Sequence, residues 1–243
     1  MLKGRESEKG VFERLASKGL IPGSYLFFGE EGVGKFSFAK ELAASFESGS
    51  NTLSECLVIS PDEERGNIGI VGVRRVRAFF SEPPVLSPYR TVIVENAEAM
   101  SPEAENALLK IAEEPPKNAL LIFISSHPES LLSTLVSRLR RLYFPKVSEE
   151  DISDLLKESG ASEEEAAGIS KRSFGRPGFA LDILKSSKSK RKKKDSEPDF
   201  KFETDAEFRD FVRNRLSELY ASGDNKEEMS ALLKRLEIIG KYN

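Results

Sequence analysis

The sequence contains few residues that bind metals or form disulfides. Its 243 residues include one cysteine, one histidine and no tryptophan. The single cysteine, Cys56, excludes a disulfide framework and a four-cysteine zinc site. The single histidine, His127, has no second histidine or cysteine nearby with which to share a metal ion. We therefore predict no zinc and no dedicated metal site.

Long apolar runs are also missing. No stretch approaches ~18 consecutive apolar residues, which is roughly the length a helix needs to span a membrane, and no signal peptide is recognisable. The formal net charge is only −3, so the overall charge does not by itself indicate that the protein binds nucleic acid. These features predict a cytoplasmic protein without membrane contact, long enough for one large or two small domains plus an extension.

The region 90–144 has the pattern of an α/β fold. Unbroken apolar runs at 91–94 and 120–124 are typical of parallel strands that are buried on both faces. Between them, Ser101 is a favourable helix N-cap, and Pro102 suits the first helical position because its missing N–H has no helical partner there. A short helix and a further strand complete the region. The sequence thus predicts a parallel sheet flanked by helices.

A glycine-rich loop lies between an earlier strand and a helix. Glycines let backbone N–H groups turn towards phosphate oxygens at the positive end of the following helix, and a lysine adds a positive charge. The Walker A pattern is matched by Gly29, Gly34 and Lys35, and Gly32 lies within the same loop. Because the strand–loop–helix context is also present, the sequence predicts a nucleotide phosphate site.

Two groups that ATP hydrolysis needs are replaced in this site. Phe36 stands where a serine or threonine hydroxyl would bind Mg²⁺, and Ser37 is one residue late and on the wrong side of the helix to replace it. The usual Asp-Glu pair after the next long apolar strand is Glu95-Asn96, and an amide cannot act as a general base. We predict a degenerate site that does not hydrolyse ATP. Whether it binds ATP stays open, with Mg²⁺ expected only alongside nucleotide, and the alternative is that the loop persists because the fold is built on it.

Several motifs together resemble the AAA+ family of bacterial clamp loaders. In chain order they are Glu98-Ala99-Met100, the stretch 106–116, the stretch 131–135 and Ser137-Arg138. The resemblance covers the chain from about residue 20 to about residue 180. It implies an AAA+ P-loop parallel sheet flanked by helices, a small helical lid domain and a short helical C-terminal collar segment.

The resemblance also implies roles for two arginines. In this family the arginine of a Ser-Arg-Cys motif reaches the ATP site of the adjacent subunit, so Arg138 is expected to be an arginine finger that acts in trans. Leu139 replaces the usual cysteine here. Arg176 is a weak match to the sensor-2 arginine. The alternatives are that Arg138 pairs with a surface carboxylate and that Arg176 belongs to a turn that starts a helix.

Four segments are predicted along the chain. They are an AAA+ P-loop domain at 1–146, a helical lid domain at 147–186, a basic flexible linker at 187–203 and a helical collar segment at 204–243. The linker prediction rests on a lysine-rich run without apolar residues. The family's collar is normally longer, so the last segment is expected to be either naturally short or part of a longer chain.

These features lead to one interpretation and two alternatives. The interpretation is a scaffold subunit of the sliding-clamp loader, a component of the DNA polymerase III holoenzyme in bacterial DNA replication. Its implied partners are the gamma/tau and delta subunits of a hetero-pentameric ring, the sliding clamp, and primer–template DNA reached through the assembled ring. The alternatives are an ATP-hydrolysing motor subunit of the gamma/tau type and an AAA+ ATPase outside replication.

Overall fold

A five-stranded parallel sheet lies at the centre of the part of the chain that the structure, a computed structural model, describes: residues 4–47 and 53–195. The strands are β1 (Gly23–Phe28), β2 (Cys56–Ile59), β3 (Arg90–Val94), β4 (Ala119–Ser125) and β5 (Arg140–Tyr143). Their order across the sheet is β2-β3-β4-β1-β5, and every neighbouring pair is parallel. The predicted parallel sheet is therefore confirmed.

Helices cover both faces of this sheet. The helices are α1 (Glu6–Ser17), α2 (Lys35–Phe46), α3 (Ile70–Phe80), α4 (Pro102–Glu113), α5 (Ser133–Val136), α6 (Glu149–Glu158), α7 (Glu163–Ser173) and α8 (Pro177–Asp195). Apolar side chains of α1 and α2 pack on one face, and those of α3, α4 and α5 pack on the other. No helix within the described ranges is long and apolar enough to cross a membrane.

The central strand β4 explains why the sheet forms where the sequence predicts it. All seven of its residues are buried. Leu121 and Phe123 join the core on the α3–α4 face, whereas Leu120, Ile122 and Ile124 join the core on the α1–α2 face. Because successive side chains of a strand point to opposite faces, a strand covered on both sides needs an unbroken apolar run.

Helix α4 begins at the predicted cap. The Ser101 hydroxyl accepts a hydrogen bond from the N–H of Ala104 at 3.3 Å, and Pro102 occupies the first helical position. Ala104, Leu108 and Ala112 are buried on one side of the helix. The cap and the apolar stripe therefore fix where α4 starts and which side packs on the sheet.

The last three helices enclose an apolar cluster of their own. Its buried residues begin at Val147 and include Ile152 and Leu156 from α6, and Ile169 from α7. Residues 1–189 nevertheless form one compact unit, so the predicted boundary at 146/147 stays a prediction.

Helix α8 differs from the prediction of a flexible linker over 187–203. The helix continues through Asp195, so the first part of that range is helical. Lysine and arginine have high helix propensity and interact favourably with the C-terminal end of a helix dipole. A basic run can therefore extend a helix that already starts on a packed core. A second unit, Lys190–Asn243, is described only over 190–195, and the predicted collar lies outside the described residues.

Candidate functional site

The glycine-rich loop joins the end of β1 to the start of α2. Gly34 is the N-cap of α2 and has a φ of 96°, in the left-handed region that favours glycine. Gly29 also has positive φ, and a Cβ at this position would overlap the carbonyl oxygen of Phe144. Glycine is thus required at both ends of the loop, and the backbone has the curvature of a phosphate-binding loop.

Lys35 is the first residue of α2 and is 5% exposed. Its Nζ donates hydrogen bonds to the carbonyl oxygens of Gly29 at 2.6 Å and Glu30 at 2.8 Å, and to the Ser126 hydroxyl at 3.1 Å. Burial lowers the pKa of Lys35 to about 8, and the nearby Glu98 carboxylate opposes this shift. The ammonium therefore lies in the loop where it would meet a phosphate group, held by neutral acceptors.

A cavity of about 490 Å³ opens beside the loop. The lining includes seven of the eight residues predicted for the nucleotide site, namely Gly32, Gly34, Lys35, Ser37, Glu95, Asn96 and Arg176. The eighth, Gly29, lies in the same loop but does not line the cavity. The lining also contains Glu31 and Asp182, so three carboxylates accompany two cations.

The first turn of α2 has a phenylalanine at the position of the metal-binding hydroxyl. Phe36 lines the cavity, and the Nζ of Lys40 lies 4.8 Å from the centre of its ring. Ser37 lines the cavity too, although its position in the sequence predicted that it would lie on the wrong side of the helix. The aromatic ring supplies no oxygen ligand for a cation such as Mg²⁺.

The end of β3 provides the second altered position. Glu95 accepts a hydrogen bond from the Ser60 hydroxyl at 2.9 Å. Asn96 has a φ of 49°, and asparagine adopts this left-handed conformation more readily than most residues. The backbone at this turn thus gives a structural reason for an asparagine. Nearby, the Glu98 carboxylate accepts the N–H of Ser126 at 3.1 Å, which ties the end of β3 to the end of β4.

The start of α8 lies against the phosphate loop. The N–H of Gly178 donates to the carbonyl oxygen of Gly32 at 2.8 Å. The guanidinium of Arg176 lies 4.9 Å from the ring centre of Phe179, and its Nε donates to the carbonyl of Ser173 at 3.3 Å. Arg176 therefore both lines the cavity and belongs to the turn that starts α8, so the two interpretations of this residue remain compatible.

Arg138 lies near the amino-terminal ends of the strands, whereas the cavity lies at their carboxyl ends. It precedes β5, which runs parallel to β1 with Arg140 opposite Tyr25 and Tyr143 opposite Phe28. The loop follows Phe28, so at least three residues of strand, about 10 Å, separate Arg138 from the level of the loop. The Arg138 side chain is 33% exposed, and its Nε donates to the Glu113 carboxylate at 2.9 Å. Its guanidinium also donates to the carbonyl of Thr134 at 2.6 Å.

Two neighbouring arginines have partners within the chain that fix their side chains to β1. Arg140 donates to the carbonyl of Leu20 and to the Tyr25 hydroxyl, both at 3.0 Å. The guanidinium of Arg141 lies 4.8 Å from the ring centre of Phe28. Arg138 differs from both because its partner, Glu113, is itself a surface carboxylate that is 56% exposed.

Several cavity residues were missed from the sequence. Ser126 could have been found, because it follows an apolar strand and the carboxyl ends of parallel strands share one edge of the sheet. Glu31 lies inside the Walker pattern and could have been found in the same way. Gly178 and Phe179 lie within three residues of Arg176, the sensor-2 match, and could have been found with it. Asp182 could not, because it reaches the cavity only when α8 packs back on the loop.

A parallel sheet of this order, with a phosphate loop after β1 and a helical lid, defines the chain as a AAA+ module. Solved structures agree. A variant of RuvB from Thermotoga maritima superposes with a TM-score of 0.56 at 15% sequence identity, covering 96% of this chain and 68% of that chain. Hsp104 gives a TM-score of 0.51 at 16% identity, covering 76% of this chain and 44% of that chain. At these identities the likeness shows the fold alone.

The chain belongs to the family described as "DNA polymerase III, delta subunit", whose profile matches residues 4–148. The gamma/tau subunit of Mycobacterium tuberculosis DNA polymerase III is 34% identical over 155 residues, which are 56% of this chain and 26% of the relative. The delta-prime subunit of Bacillus subtilis is 30% identical over 156 residues, 57% of this chain and 47% of the relative. The delta-prime subunit of Escherichia coli is 30% identical over 136 residues, 56% of this chain and 41% of the relative.

These matches support a delta-prime-like clamp-loader subunit within the family. The matched stretch spans between about a quarter and a half of the length of these curated relatives. The stretch that the family profile matches, residues 4–148, includes the phosphate loop and Arg138.

Proposed function

We propose that the chain is a scaffold subunit of a bacterial sliding-clamp loader, that it does not hydrolyse ATP itself, and that it supplies Arg138 to the ATP site of a neighbouring subunit. Its family and the names of its relatives support the first part. The observation that carries the second part is that Phe36 replaces the metal-binding hydroxyl and Asn96 replaces the general base in an otherwise complete phosphate site.

The cavity fits a phosphate group but not the metal that accompanies it in hydrolysis. The N–H groups at the start of α2 and the ammonium of Lys35 are suited to phosphate oxygens. Phe36 offers no ligand oxygen for Mg²⁺, and the Asn96 amide cannot take a proton from water. The residues present can therefore hold ATP by its phosphates but provide no means of activating the water that attacks it.

The charge of the cavity favours weak nucleotide binding. Glu31, Glu95 and Asp182 contribute three negative charges to the lining, against two positive charges from Lys35 and Arg176. ATP is strongly anionic, and like charges in a partly enclosed cavity repel one another more than in bulk water. Mg²⁺ would normally offset this repulsion, but the cavity lacks one of its ligands.

The position of Arg138 supports a role in trans. It lies at the amino-terminal end of β5, whereas its own phosphate loop follows the carboxyl end of β1, so it is badly placed to act on a nucleotide bound there. Its ion pair with Glu113 and its hydrogen bond to the Thr134 carbonyl are both exposed. Exposed ion pairs contribute only about 0–1 kcal/mol, so the guanidinium can exchange Glu113 for another anion at little cost. A planar guanidinium can then bind the phosphoryl oxygens of a neighbour's nucleotide.

The partners follow from the same proposal. The subunit would assemble with gamma/tau and delta subunits in a hetero-pentameric ring that handles the sliding clamp and primer–template DNA in the cytoplasm. Among the four predicted segments, the AAA+ module would supply Arg138, and the segment 204–243 would join the collar. ATP would be an optional ligand of this subunit and the substrate of its neighbours.

Steady-state ATP turnover by the purified chain tests the proposal. We expect turnover near background with Mg²⁺ present, and no further decrease in the variant Lys35→Ala. A gamma/tau subunit prepared in the same way provides the positive control. Steady turnover that Lys35→Ala abolishes would contradict the scaffold assignment.

The motor alternative has one observation in its favour, because the identity to gamma/tau, 34%, exceeds the identity to delta-prime, 30%. Equilibrium binding of ATP with and without Mg²⁺ separates the two. A motor subunit should bind ATP much more tightly with Mg²⁺, whereas a site with Phe36 in place of the hydroxyl should gain little. The family match argues against the second alternative, an AAA+ ATPase outside replication.

A further inference from the structure

The short helix that precedes Arg138 is too small to form alone. Helix α5 has four residues, and isolated helices of this length are unstable in water. Its N-cap residue is Leu132, whose side chain makes no capping hydrogen bond, and leucine is among the least favourable N-cap residues. Something outside α5 must therefore fix the position at which this helix starts.

The carboxylate of Glu105 fulfils this requirement. Glu105 belongs to α4, is 4% exposed, and accepts a hydrogen bond from the N–H of Leu132 at 2.7 Å. The carbonyl of Leu132 in turn accepts the N–H groups of Leu135 at 2.9 Å and Val136 at 3.0 Å. In a capping box a glutamate of the same helix binds the N–H of the N-cap residue. Here a glutamate of a different helix makes that bond.

The two carboxylates of α4 that contact this segment differ in exposure. Glu105 is 4% exposed, and its partly buried hydrogen bond to Leu132 at the start of α5 is less screened by water than a surface contact. Glu113 binds Arg138 at the end of the segment, where both side chains reach solvent. Burial also raises the pKa of Glu105, with the N–H of Leu132 opposing the shift. The segment therefore has a fixed start and a releasable end.

We propose that Glu105 is a positioning residue for Arg138, because its buried hydrogen bond to Leu132 determines where α5 starts and hence where the guanidinium is presented to a neighbouring subunit. This inference rests on the proposed function of Arg138. Glu105 does not touch nucleotide itself and acts only through the segment that ends at Arg138.

The test uses a clamp-loader complex reassembled from full-length subunits, with sliding clamp and primer–template DNA, and measures kcat and KM for ATP. Glu105→Leu should lower kcat about tenfold with an unchanged KM, because a lost hydrogen bond to a charged group releases the start of α5. Glu105→Gln should stay within about twofold of wild type, because its amide oxygen can accept the same N–H. Glu103→Leu, which removes an exposed carboxylate from the same turn of α4, is the matched control.

A second variant removes the same hydrogen bond from the other side. Leu132 has a φ of −56°, and Leu131 before it is extended, so proline fits this backbone and removes the N–H donor. The substitution also removes the leucine side chain, which packs against the core, so Leu132→Ala serves as the control for that loss. Leu132→Pro should lower kcat as Glu105→Leu does, and it remains informative if Glu105→Leu fails to fold. Normal kcat in both variants would overturn the inference.

The combination of Glu105→Leu with Arg138→Ala identifies the route of the effect. If Glu105 acts through Arg138, the double variant should be no slower than Arg138→Ala alone. Losses that multiply would overturn the inference, because Glu105 would then act independently. Normal hydrolysis in Arg138→Ala would instead contradict the proposed function, so the two failures are distinguishable.

Discussion

Arg5 joins three parts of the AAA+ module, and its removal should be costly. The side chain is 2% exposed and forms an ion pair with Glu8 at 2.9 Å. Its guanidinium also donates to the carbonyl oxygens of Val33, in the phosphate loop, and Pro145, which follows β5. It lies 5.2 Å from the ring centre of Phe144. Arg5 thus connects the start of α1, the phosphate loop and the chain that leads into the lid.

The variant Arg5→Met keeps the apolar length of the side chain and removes the charge. Removing one partner of a buried ion pair costs about 3–5 kcal/mol, because the other charge is left buried without a partner. The stranded charge would be Glu8, which is 5% exposed. We therefore expect the free energy of unfolding to fall by about 3–5 kcal/mol, measured by urea unfolding with far-UV circular dichroism.

Two further variants distinguish the loss of the buried ion pair from a general effect of substitutions in α1. Lys9→Met removes an exposed pair with Glu13 at 3.6 Å on the same helix and should cost at most about 0.5 kcal/mol. Arg5→Met combined with Glu8→Leu should recover much of the lost stability, because apolar side chains can replace a buried ion pair. An effect of Arg5→Met no larger than that of Lys9→Met would refute the view that Arg5 holds these parts together.

Three other predictions concern separate parts of the chain. Burial lowers the pKa of Lys35 from 10.5 to about 8, so between these pH values the unfolded chain binds more protons than the folded chain. The free energy of unfolding should therefore rise with pH in this window, by up to about 3 kcal/mol. The wild-type chain should show this rise and Lys35→Met should not. Partial burial raises the pKa of the Cys56 thiol to about 12, so iodoacetamide should react at pH 8 much more slowly with folded than with urea-unfolded protein, by up to about 10³-fold. Equal rates would contradict the raised pKa. Deleting 204–243 should abolish assembly with partner subunits in size-exclusion chromatography while residues 1–185 stay folded; normal assembly would contradict the collar prediction.

Features with a local signal could be predicted from the sequence. The strand β4 is an apolar run because both of its faces are covered, and the start of α4 is marked by Ser101 and Pro102. The phosphate loop is marked by glycines whose backbone conformation other residues rarely adopt. In each of these cases the residues that determine the structure are neighbours in the sequence.

Features that depend on distant parts of the chain could not be predicted. The sequence around Arg5 indicates a surface residue, but the packing of α1 on the phosphate loop buries it. Glu105 belongs to the acidic first turn of α4, which the sequence alone indicates is exposed to solvent. Only the three-dimensional arrangement brings it to Leu132. Asp182 reaches the cavity because α8 returns to the loop. Short-range patterns contain no information on these contacts.

Stimulated ATP hydrolysis by the assembled complex tests most directly whether Arg138 acts in trans. An arginine finger contributes on the order of 10³–10⁵ in rate where it is fully engaged, and the loss of one finger among several sites should cost the complex less. Arg138→Ala should leave the subunit folded and assembled but slow the DNA- and clamp-stimulated hydrolysis by its partners, and Arg138→Lys should be nearly as harmful because an ammonium lacks the planar fork. Arg141→Ala, which removes an arginine that stacks on Phe28 within the chain, should have little effect. Normal stimulated hydrolysis by a complex with Arg138→Ala would contradict the trans role and leave Arg138 only its surface contacts with Glu113 and Thr134.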